Sequence, residues 1–365
     1  MATAILWFRR DLRLADNPAL SQSLQAADKV IPVYIHAPEE DGAWADGSAS
    51  RWWLRHSLIA LDESLRRLGS RLLVRRGPSL QVLRQLIRET GAGQVYWNRL
   101  YEPASIARDT TIKQALRENG LTLESFNAAL LHEPWEVTRD KGEPYRVFTP
   151  YWKALLNRGL GDVPLPEPAS LPPLPIGLEG MSVDELELSP KIPWDGGLRE
   201  TWVPGEAGAW ARLESFLAAV GRYAEERDRP DHDGSSRLAP HLHFGEIGPR
   251  QIVRAIHAPL IEGMDGADCF TRQLTWREFA HHLLLHYPNT PESPLDRRFS
   301  AFPWNEPQAE QLRAWQQGKT GIPLVDAGMR QLWHTGWMHN RVRMVAASFL
   351  VKNLRIHWLE GARWF

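Results

Sequence analysis

Short apolar segments alternate with helical patterns over roughly the first 130 residues, and this alternation constrains the fold more than any other feature. Strands are predicted at residues 3–8, 29–36, 71–75, 94–98 and 121–126. Helices are predicted between them at residues 18–26, 50–68, 80–90 and 105–119. Strand–helix alternation is typical of a doubly wound parallel sheet, so we expect a five-stranded α/β domain over residues 1–130.

Polar clusters follow two of the predicted strands, where doubly wound sheets bind their ligands. Arg9, Arg10 and Asp11 follow the first strand, and a segment from Asn98 to Glu102 follows the fourth. No G-x-G-x-x-G motif follows the first strand, so the usual dinucleotide fingerprint is absent.

Beyond residue 130 the sequence pattern changes twice. Residues 131–204 are expected to form a proline-rich linker, in which residues 161–193, with eight prolines, are a long, semi-extended connector that packs over other elements rather than forming one. Residues 205–365 are expected to form an all-α domain.

The single cysteine, Cys269, and the lack of a signal peptide or membrane-length apolar run predict a cytoplasmic protein. A net charge of −1 means that any nucleic-acid site must be a local patch.

Two predicted helices carry unusual faces. Residues 336–350 contain no internal Gly or Pro and are predicted to be helical, with Trp337, Asn340, Arg341 and Met344 on one face. That face either meets a flat, polar-edged ligand or pairs its polar groups internally, and the sequence leaves both possibilities open. A second predicted helix places Gln273, Trp276 and Arg277 together, and the two helices facing each other would form a pocket for a stacked planar group.

Two further motifs are candidate binding sites. Residues 233–238 combine a turn, two serines and Arg237, and this pattern is typical of a helix cap or an anion site. His281, His282 and His286 lack a clear third metal ligand, so a half-exposed helix without metal is expected there.

Five motifs in order along the chain carry a family resemblance. They are residues 6–13, 234–238, 276–279, 315–321 and 336–341. Together they resemble the photolyase/cryptochrome family, and most closely the class I cyclobutane pyrimidine dimer DNA photolyases. The resemblance implies an antenna domain, a linker and a helical FAD-binding domain that is incomplete at its C-terminus. It also implies a monomer that repairs UV-damaged DNA, with light driving an electron from reduced FAD to a flipped-out dimer. A blue-light receptor without repair activity and an inactive shortened photolyase are the alternatives.

The resemblance also implies roles for individual residues. The predicted FAD contacts are Tyr223, Ser235, Ser236, Arg237, Leu238, Ala239, Phe270, Asn340 and Arg343. The predicted lesion and DNA contacts are Arg227, Gln273, Trp276, Arg277, Trp337, Arg341 and Met344. Gln273 and Asn340 are expected to act at the reaction centre, and Trp304 and Trp358 in photoreduction of the flavin. Asn98, Tyr101 and Glu102 are expected to bind an antenna, either methenyltetrahydrofolate or 8-hydroxy-deazaflavin.

The chain departs from the family pattern in two places. Gln273 stands where many dimer photolyases have glutamate, and an amide can donate a hydrogen bond without titrating. Enzymes that repair (6-4) lesions share this glutamine but have a histidine in place of Asn340, so dimer repair is predicted. The sequence also ends at Phe365, before the family segment that closes over the flavin. Weak FAD binding, or none, is the expectation from that ending.

Overall fold

The structure is a computed structural model that describes residues 2–258, 264–306 and 309–365. Its N-terminal part contains five strands: β1 (Thr3–Phe8), β2 (Lys29–His36), β3 (Leu73–Arg76), β4 (Gln94–Asn98) and β5 (Thr122–Phe126). All are parallel, in the order β3-β2-β1-β4-β5, and Ile5 of β1 lies between Ile31 and Val95 of its neighbours. The predicted doubly wound five-stranded sheet is confirmed.

The helices cover the sheet and form the C-terminal part. They are α1 (Pro18–Ala26), α2 (Ser48–Arg67), α3 (Ser79–Thr90), α4 (Pro103–Arg117), α5 (Phe148–Arg158), α6 (Gly196–Thr201), α7 (Glu206–Leu217), α8 (Tyr223–Glu226), α9 (Ala239–His243), α10 (Pro249–Ile256), α11 (Met264–His286), α12 (Ala309–Gln316), α13 (Pro323–Thr335), α14 (Asn340–Ser348) and α15 (Trp358–Trp364). A π-helical turn follows α14 at Phe349–Asn353. No helix within the described residues is both long and apolar enough to cross a bilayer.

Burial on both faces of the sheet explains why the strands read as continuous apolar runs. All six residues of β1 are buried, and they alternate between two cores. Leu6 and Phe8 pack on one side with α2, whereas Ile5 and Trp7 pack on the other side with α3. A parallel sheet covered by helices on both faces requires this pattern.

The segment between the sheet and α7 contains α5 and α6. Between these two helices, the proline-rich residues 161–193 form a 3-10 turn at Asp184–Leu186 and are otherwise without helix or strand. Phe148, Tyr151 and Leu155 recur at helical spacing and pack together in an apolar cluster with Phe279 of α11, and this burial stabilises α5. Further along, Met181 pairs with Val74 of β3 and covers that edge of the sheet.

Glu278 ties α11 to the segment that leaves the sheet. Its side chain is buried and accepts the Leu131 N–H at 2.9 Å. Burial is the largest effect on this carboxyl and raises its pKa from 4.5 to about 8, although the nearby guanidinium of Arg277 acts in the opposite direction.

A pH-dependent stability follows from Glu278. Between about pH 4.5 and 8 the folded protein keeps a proton that the unfolded chain releases, so this group lowers stability as pH rises through that window. Glu278→Gln should remove that slope and, at pH 8.5, raise the free energy of unfolding by roughly 1 to 3 kcal/mol relative to wild type. Urea unfolding of both proteins at pH 5 and pH 8.5 measures the difference. An unchanged pH slope in the variant would contradict the assignment.

Candidate functional site

The segment around Trp337 is a turn between two helices, so the predicted single helix over residues 336–350 is wrong. Gly336 ends α13 in the left-handed region at φ 69°, and its N–H is bonded to Leu332 O. His339 then caps α14, because its Nδ1 accepts the Arg341 N–H at 3.1 Å. Trp337 therefore does not share a helix face with Asn340.

A cavity of about 860 Å³ lies between α5, α11 and the start of α14. Gln273 and Trp276 of α11 and Arg341 of α14 line it, together with Arg227. Trp152 of α5 lines it as well. Arg272 of α11 is a third arginine in the lining, so the structure brings a ring, an amide and three guanidinium groups together, but Trp337 is not among the residues that line this cavity.

Trp276 presents one face of its indole to this cavity. The other face stacks on Phe148, with ring centroids 3.7 Å apart and planes 8° apart. The Trp276 side chain is nevertheless 47% exposed. One helical turn away, the Gln273 amide donates to Cys269 O at 3.4 Å. A planar group entering the cavity would therefore meet an open ring face and an uncharged amide.

Arg227 and Arg341 share one carboxylate at the edge of the cavity. Asp228 Oδ1 accepts from Arg341 Nε at 2.8 Å and from Arg227 Nε at 3.2 Å. The hydrogen bond from Arg341 is the largest effect on Asp228 and lowers the pKa of its carboxyl. Arg341 Nη1 also lies 3.4 Å from the sulfur of Met344, which is 54% exposed. Two cations with one acid leave this rim positively charged.

Arg277 does not take part in this cavity. Its guanidinium donates to Ala129 O and lines a separate cavity of about 260 Å³ with Arg10, Glu102 and His281. Burial lowers the pKa of Arg277. The structure therefore does not place Arg277 with the predicted DNA contacts that line the larger cavity. Its side chain instead joins α11 to the segment after the sheet.

The loop before α9 contains buried polar atoms without partners. Ser235 Oγ and Arg237 Nε are buried and have no hydrogen-bond partner within the residues that the structure describes. Arg237 has a φ of 53°, its guanidinium lies 4.5 Å from the centre of the Trp337 ring, and it pairs with Asp233 at 2.9 Å. A phosphate would satisfy both orphaned groups, so this loop fits a phosphate-bearing cofactor.

The other predicted cofactor residues divide into two groups. Tyr223, Leu238 and Phe270 are buried in the core of the helical part, where the rings of Tyr223 and Phe270 lie 5.2 Å apart. They can support the loop but offer little surface to a ligand. Ser236, Ala239 and Asn340 are at least partly exposed. Arg343 lies over the Phe365 ring at 4.6 Å, and burial lowers its pKa.

A histidine connects the two predicted photoreduction tryptophans. His357 lies 5.0 Å from the Trp304 ring and 5.7 Å from the Trp358 ring. No sequence motif pointed to His357. Of the three α11 histidines, His282 is fully buried and accepts the Tyr145 N–H, whereas His281 and His286 are partly exposed, so the helix is half-exposed there. Within the described part of the chain no cluster of His, Cys, Asp or Glu could hold a metal ion.

The two polar clusters at the sheet edge converge, because β1 and β4 are neighbours. Arg9 pairs with Asp109 at 2.7 Å and Arg10 pairs with Glu102 at 2.8 Å. A cavity of about 270 Å³ opens beside Arg10, and its lining includes residues that sequence reasoning missed, namely Tyr34, His36, Asp46, Arg51 and Arg76. Glu102 and Tyr101 line the separate Arg277 cavity.

The Asn98 side chain is engaged in hydrogen bonds within the protein. The side chain is buried, its amide donates to Asp11 and Asn17, and its carbonyl oxygen accepts the Ala19 N–H. These bonds join the two polar clusters to α1. Asn98 therefore organises the sheet edge and lines neither of the two cavities described beside it.

Comparison with known proteins identifies the family. Residues 4–169 match the DNA photolyase model and residues 270–365 match the FAD binding domain of DNA photolyase. The chain is 44% identical to a deoxyribodipyrimidine photo-lyase of Agrobacterium fabrum over 100% of this chain and 76% of that protein. It is 40% identical to cryptochrome-2 of Arabidopsis thaliana over 99% of this chain and 61% of that protein.

A solved structure agrees with these matches. The crystal structure of a class III photolyase from Agrobacterium tumefaciens superposes with a TM-score of 0.95 at 43% identity, covering 100% of this chain and 76% of the other. The photolyase relative and the solved structure cover the whole chain, and the two family models match its N-terminal and C-terminal parts. The chain belongs to the photolyase/cryptochrome family.

Proposed function

We propose that this protein repairs cyclobutane pyrimidine dimers in DNA with light, and that the dimer enters the cavity lined by Gln273, Trp276 and Arg341. The observation that carries the proposal is the shared lining of that cavity by an open indole face, an amide and three arginines, at positions 227, 272 and 341. The 44% identity to a deoxyribodipyrimidine photo-lyase supports the same activity. Within the family, the class III relative makes class III a better-supported subclass than the class I resemblance drawn from the motifs.

Each residue at the cavity has a definable task. A dimer that has left the duplex can stack on the free face of Trp276, which is already held flat against Phe148. The Gln273 amide can donate to the polar edge of a pyrimidine and stays neutral at every pH. Arg227 and Arg341 at the rim can bind backbone phosphates on either side of the lesion.

The loop at Ser235 and Arg237 would hold the phosphates of FAD. Bound, reduced FAD would supply the photoexcited electron that splits the dimer. The two orphaned buried groups of the loop support this assignment, and Trp337 supports it by backing the Arg237 guanidinium. Asn340 and Arg343 are proposed to face the flavin, and Trp304 and Trp358 are proposed to pass electrons through the protein with His357 between them.

A blue-light receptor without repair activity is the second candidate, because the chain is also 40% identical to a plant cryptochrome. An illuminated assay on an oligonucleotide that contains one dimer separates the two functions. The proposal expects dimers to disappear under blue light in the presence of reduced FAD and to persist in darkness. A lesion that stays intact in the light, in protein that carries FAD, would favour the receptor.

An antenna chromophore is proposed at the carboxyl edge of the sheet, in the cavity beside Arg10. Four other arginines line this cavity, at positions 9, 51, 76 and 108, with Tyr34 and His36 as aromatic neighbours. Such a lining suits a planar chromophore that carries an acidic tail. Both methenyltetrahydrofolate and 8-hydroxy-deazaflavin have that character. Tyr101 and Glu102 line the neighbouring cavity. Glu102 is linked to the antenna cavity by its ion pair with Arg10.

The cellular setting is also a proposal. A cytoplasmic monomer acting on UV-damaged DNA is consistent with the single cysteine, Cys269.

Arg341→Ala is expected to weaken binding to damaged and undamaged DNA by a similar factor, roughly 3- to 10-fold at 0.1 M salt. The reason is that a phosphate contact does not depend on the lesion. The slope of log affinity against log salt should become shallower by about one. Fluorescence anisotropy across a salt series measures both quantities.

Arg66→Ala provides the matched control, because Arg66 is an exposed arginine of α2 that pairs with Asp62, away from the cavity lining. Its removal should leave both affinities unchanged. A loss confined to lesion-containing DNA would contradict the phosphate role of Arg341.

A further inference from the structure

Phe148 lies at the first position of α5, in the proline-rich segment that joins the sheet to the helical part. Its ring is buried, with 5% of its surface exposed. It packs with Val137, Tyr151 and Leu155 and meets the ring of Phe279 at 5.8 Å and 69°. Phe148 is therefore fixed by a core that includes both the connector and α11.

The indole of Trp276 depends on this fixed ring. Phe148 covers one of its faces at 3.7 Å, and Phe279 approaches its edge at 5.9 Å and 75°. Within the described residues Trp276 Nε1 has no hydrogen-bond partner, so ring packing alone sets the plane of the indole. With 47% of the side chain exposed, the indole has room to turn if that packing is lost.

We propose that Phe148 is a positioning residue for lesion recognition: it holds the Trp276 indole in the plane on which a flipped-out pyrimidine dimer stacks. The proposal rests on the function proposed above and extends it to the connector, which thereby contributes to the choice of substrate. A stacking platform that is already fixed loses less conformational entropy when the dimer binds than one that must be ordered on binding.

The size of the effect follows from that entropy. Immobilising one large side chain on binding is expected to cost about 2- to 10-fold in affinity. Phe148→Leu keeps an apolar side chain in the core but removes the ring face under Trp276. Phe148→Tyr keeps the ring. Undamaged duplex, which is held through its phosphates, does not use the indole face.

The test is a double-mutant cycle read as dark equilibrium binding to the same oligonucleotide with and without a dimer. Phe148→Leu is expected to weaken lesion binding about 2- to 10-fold, with undamaged DNA unaffected and with Phe148→Tyr close to wild type. In a Trp276→Ala background, Phe148→Leu should have no further effect on lesion binding. Unchanged binding to undamaged DNA and a cooperative thermal melt show that each variant is folded.

Two results would overturn the inference. The first is that Phe148→Leu leaves the affinity for lesion-containing DNA unchanged. The second is that Phe148→Leu lowers this affinity by the same factor in the Trp276→Ala background as in wild type, which would show that Phe148 acts through another group. If Trp276→Ala alone left lesion binding intact, the proposed function of the cavity would fail first, and this inference with it.

Discussion

Trp276→Ala is expected to weaken binding of dimer-containing DNA by roughly 10- to 100-fold, because stacking of a base on an aromatic ring contributes about 1–3 kcal/mol. The indole is the large apolar surface that α11 offers to the cavity, and its free face is open there. Binding to undamaged duplex should change by no more than about twofold, since that complex depends on phosphate contacts. The variant should therefore lose discrimination rather than general affinity.

Anisotropy titrations in darkness, with matched damaged and undamaged oligonucleotides, measure this ratio directly. Trp333→Ala is a suitable control, because Trp333 is 76% exposed on α13 and does not line the cavity. It should leave both affinities unchanged. An equal loss on damaged and undamaged DNA in Trp276→Ala would mean that the residue supports the fold or the rim rather than the lesion.

Glu246→Ala is expected to lower the free energy of unfolding by about 3–5 kcal/mol, the usual effect of removing one partner from a buried polar network. Glu246 is fully buried. It accepts from Trp53 Nε1 at 2.9 Å and from Gly205 N at 2.7 Å, and it also contacts the Ser57 hydroxyl and the His241 ring. Its loss would leave the Trp53 indole N–H and the Gly205 N–H buried without this acceptor, whereas the Ser57 hydroxyl could still donate to Trp53 O.

Urea unfolding followed by tryptophan fluorescence and circular dichroism measures this change. Glu63→Ala is the matched control, because Glu63 is an exposed glutamate on α2. It should alter stability by no more than about 0.5 kcal/mol. If the free energy of unfolding of Glu246→Ala were within about 1 kcal/mol of the wild-type value, the hydrogen bonds of Glu246 would not stabilise the packing of α2 against α9 and the start of α7.

The sequence predicts the sheet well because burial on both faces forces continuous apolar strands, as in β1. It predicts the Trp276 cavity in part, because helical periodicity places Gln273 and Trp276 on one side of α11. Periodicity cannot say how far a long side chain reaches, and Arg277 turns to Ala129 instead of the cavity. The face of a helix is therefore predictable, whereas the destination of a flexible arginine is not.

The error at Trp337 has a specific physical cause. A glycine followed by uninterrupted helix formers looks like a helix, but Gly336 adopts the left-handed conformation and the His339 side chain caps the next helix. Histidine is not among the preferred capping residues, so the boundary carried a weak signal. Local sequence patterns do not predict contacts between residues that are far apart in the chain, and the Phe148–Trp276 stack is the clearest case.

The central claim is that this chain holds FAD at the loop of Ser235 and Arg237, in place of the weak or absent binding expected from the sequence alone. Thermal melting with and without FAD tests this claim most directly. A ligand that binds only the folded protein must raise the melting midpoint, by the equivalent of about 2.7 kcal/mol at one hundred times its dissociation constant. We expect saturating FAD to raise the midpoint of the wild-type protein and to raise it much less in Arg237→Ala. Identical midpoints with and without FAD in the wild-type protein would contradict the account.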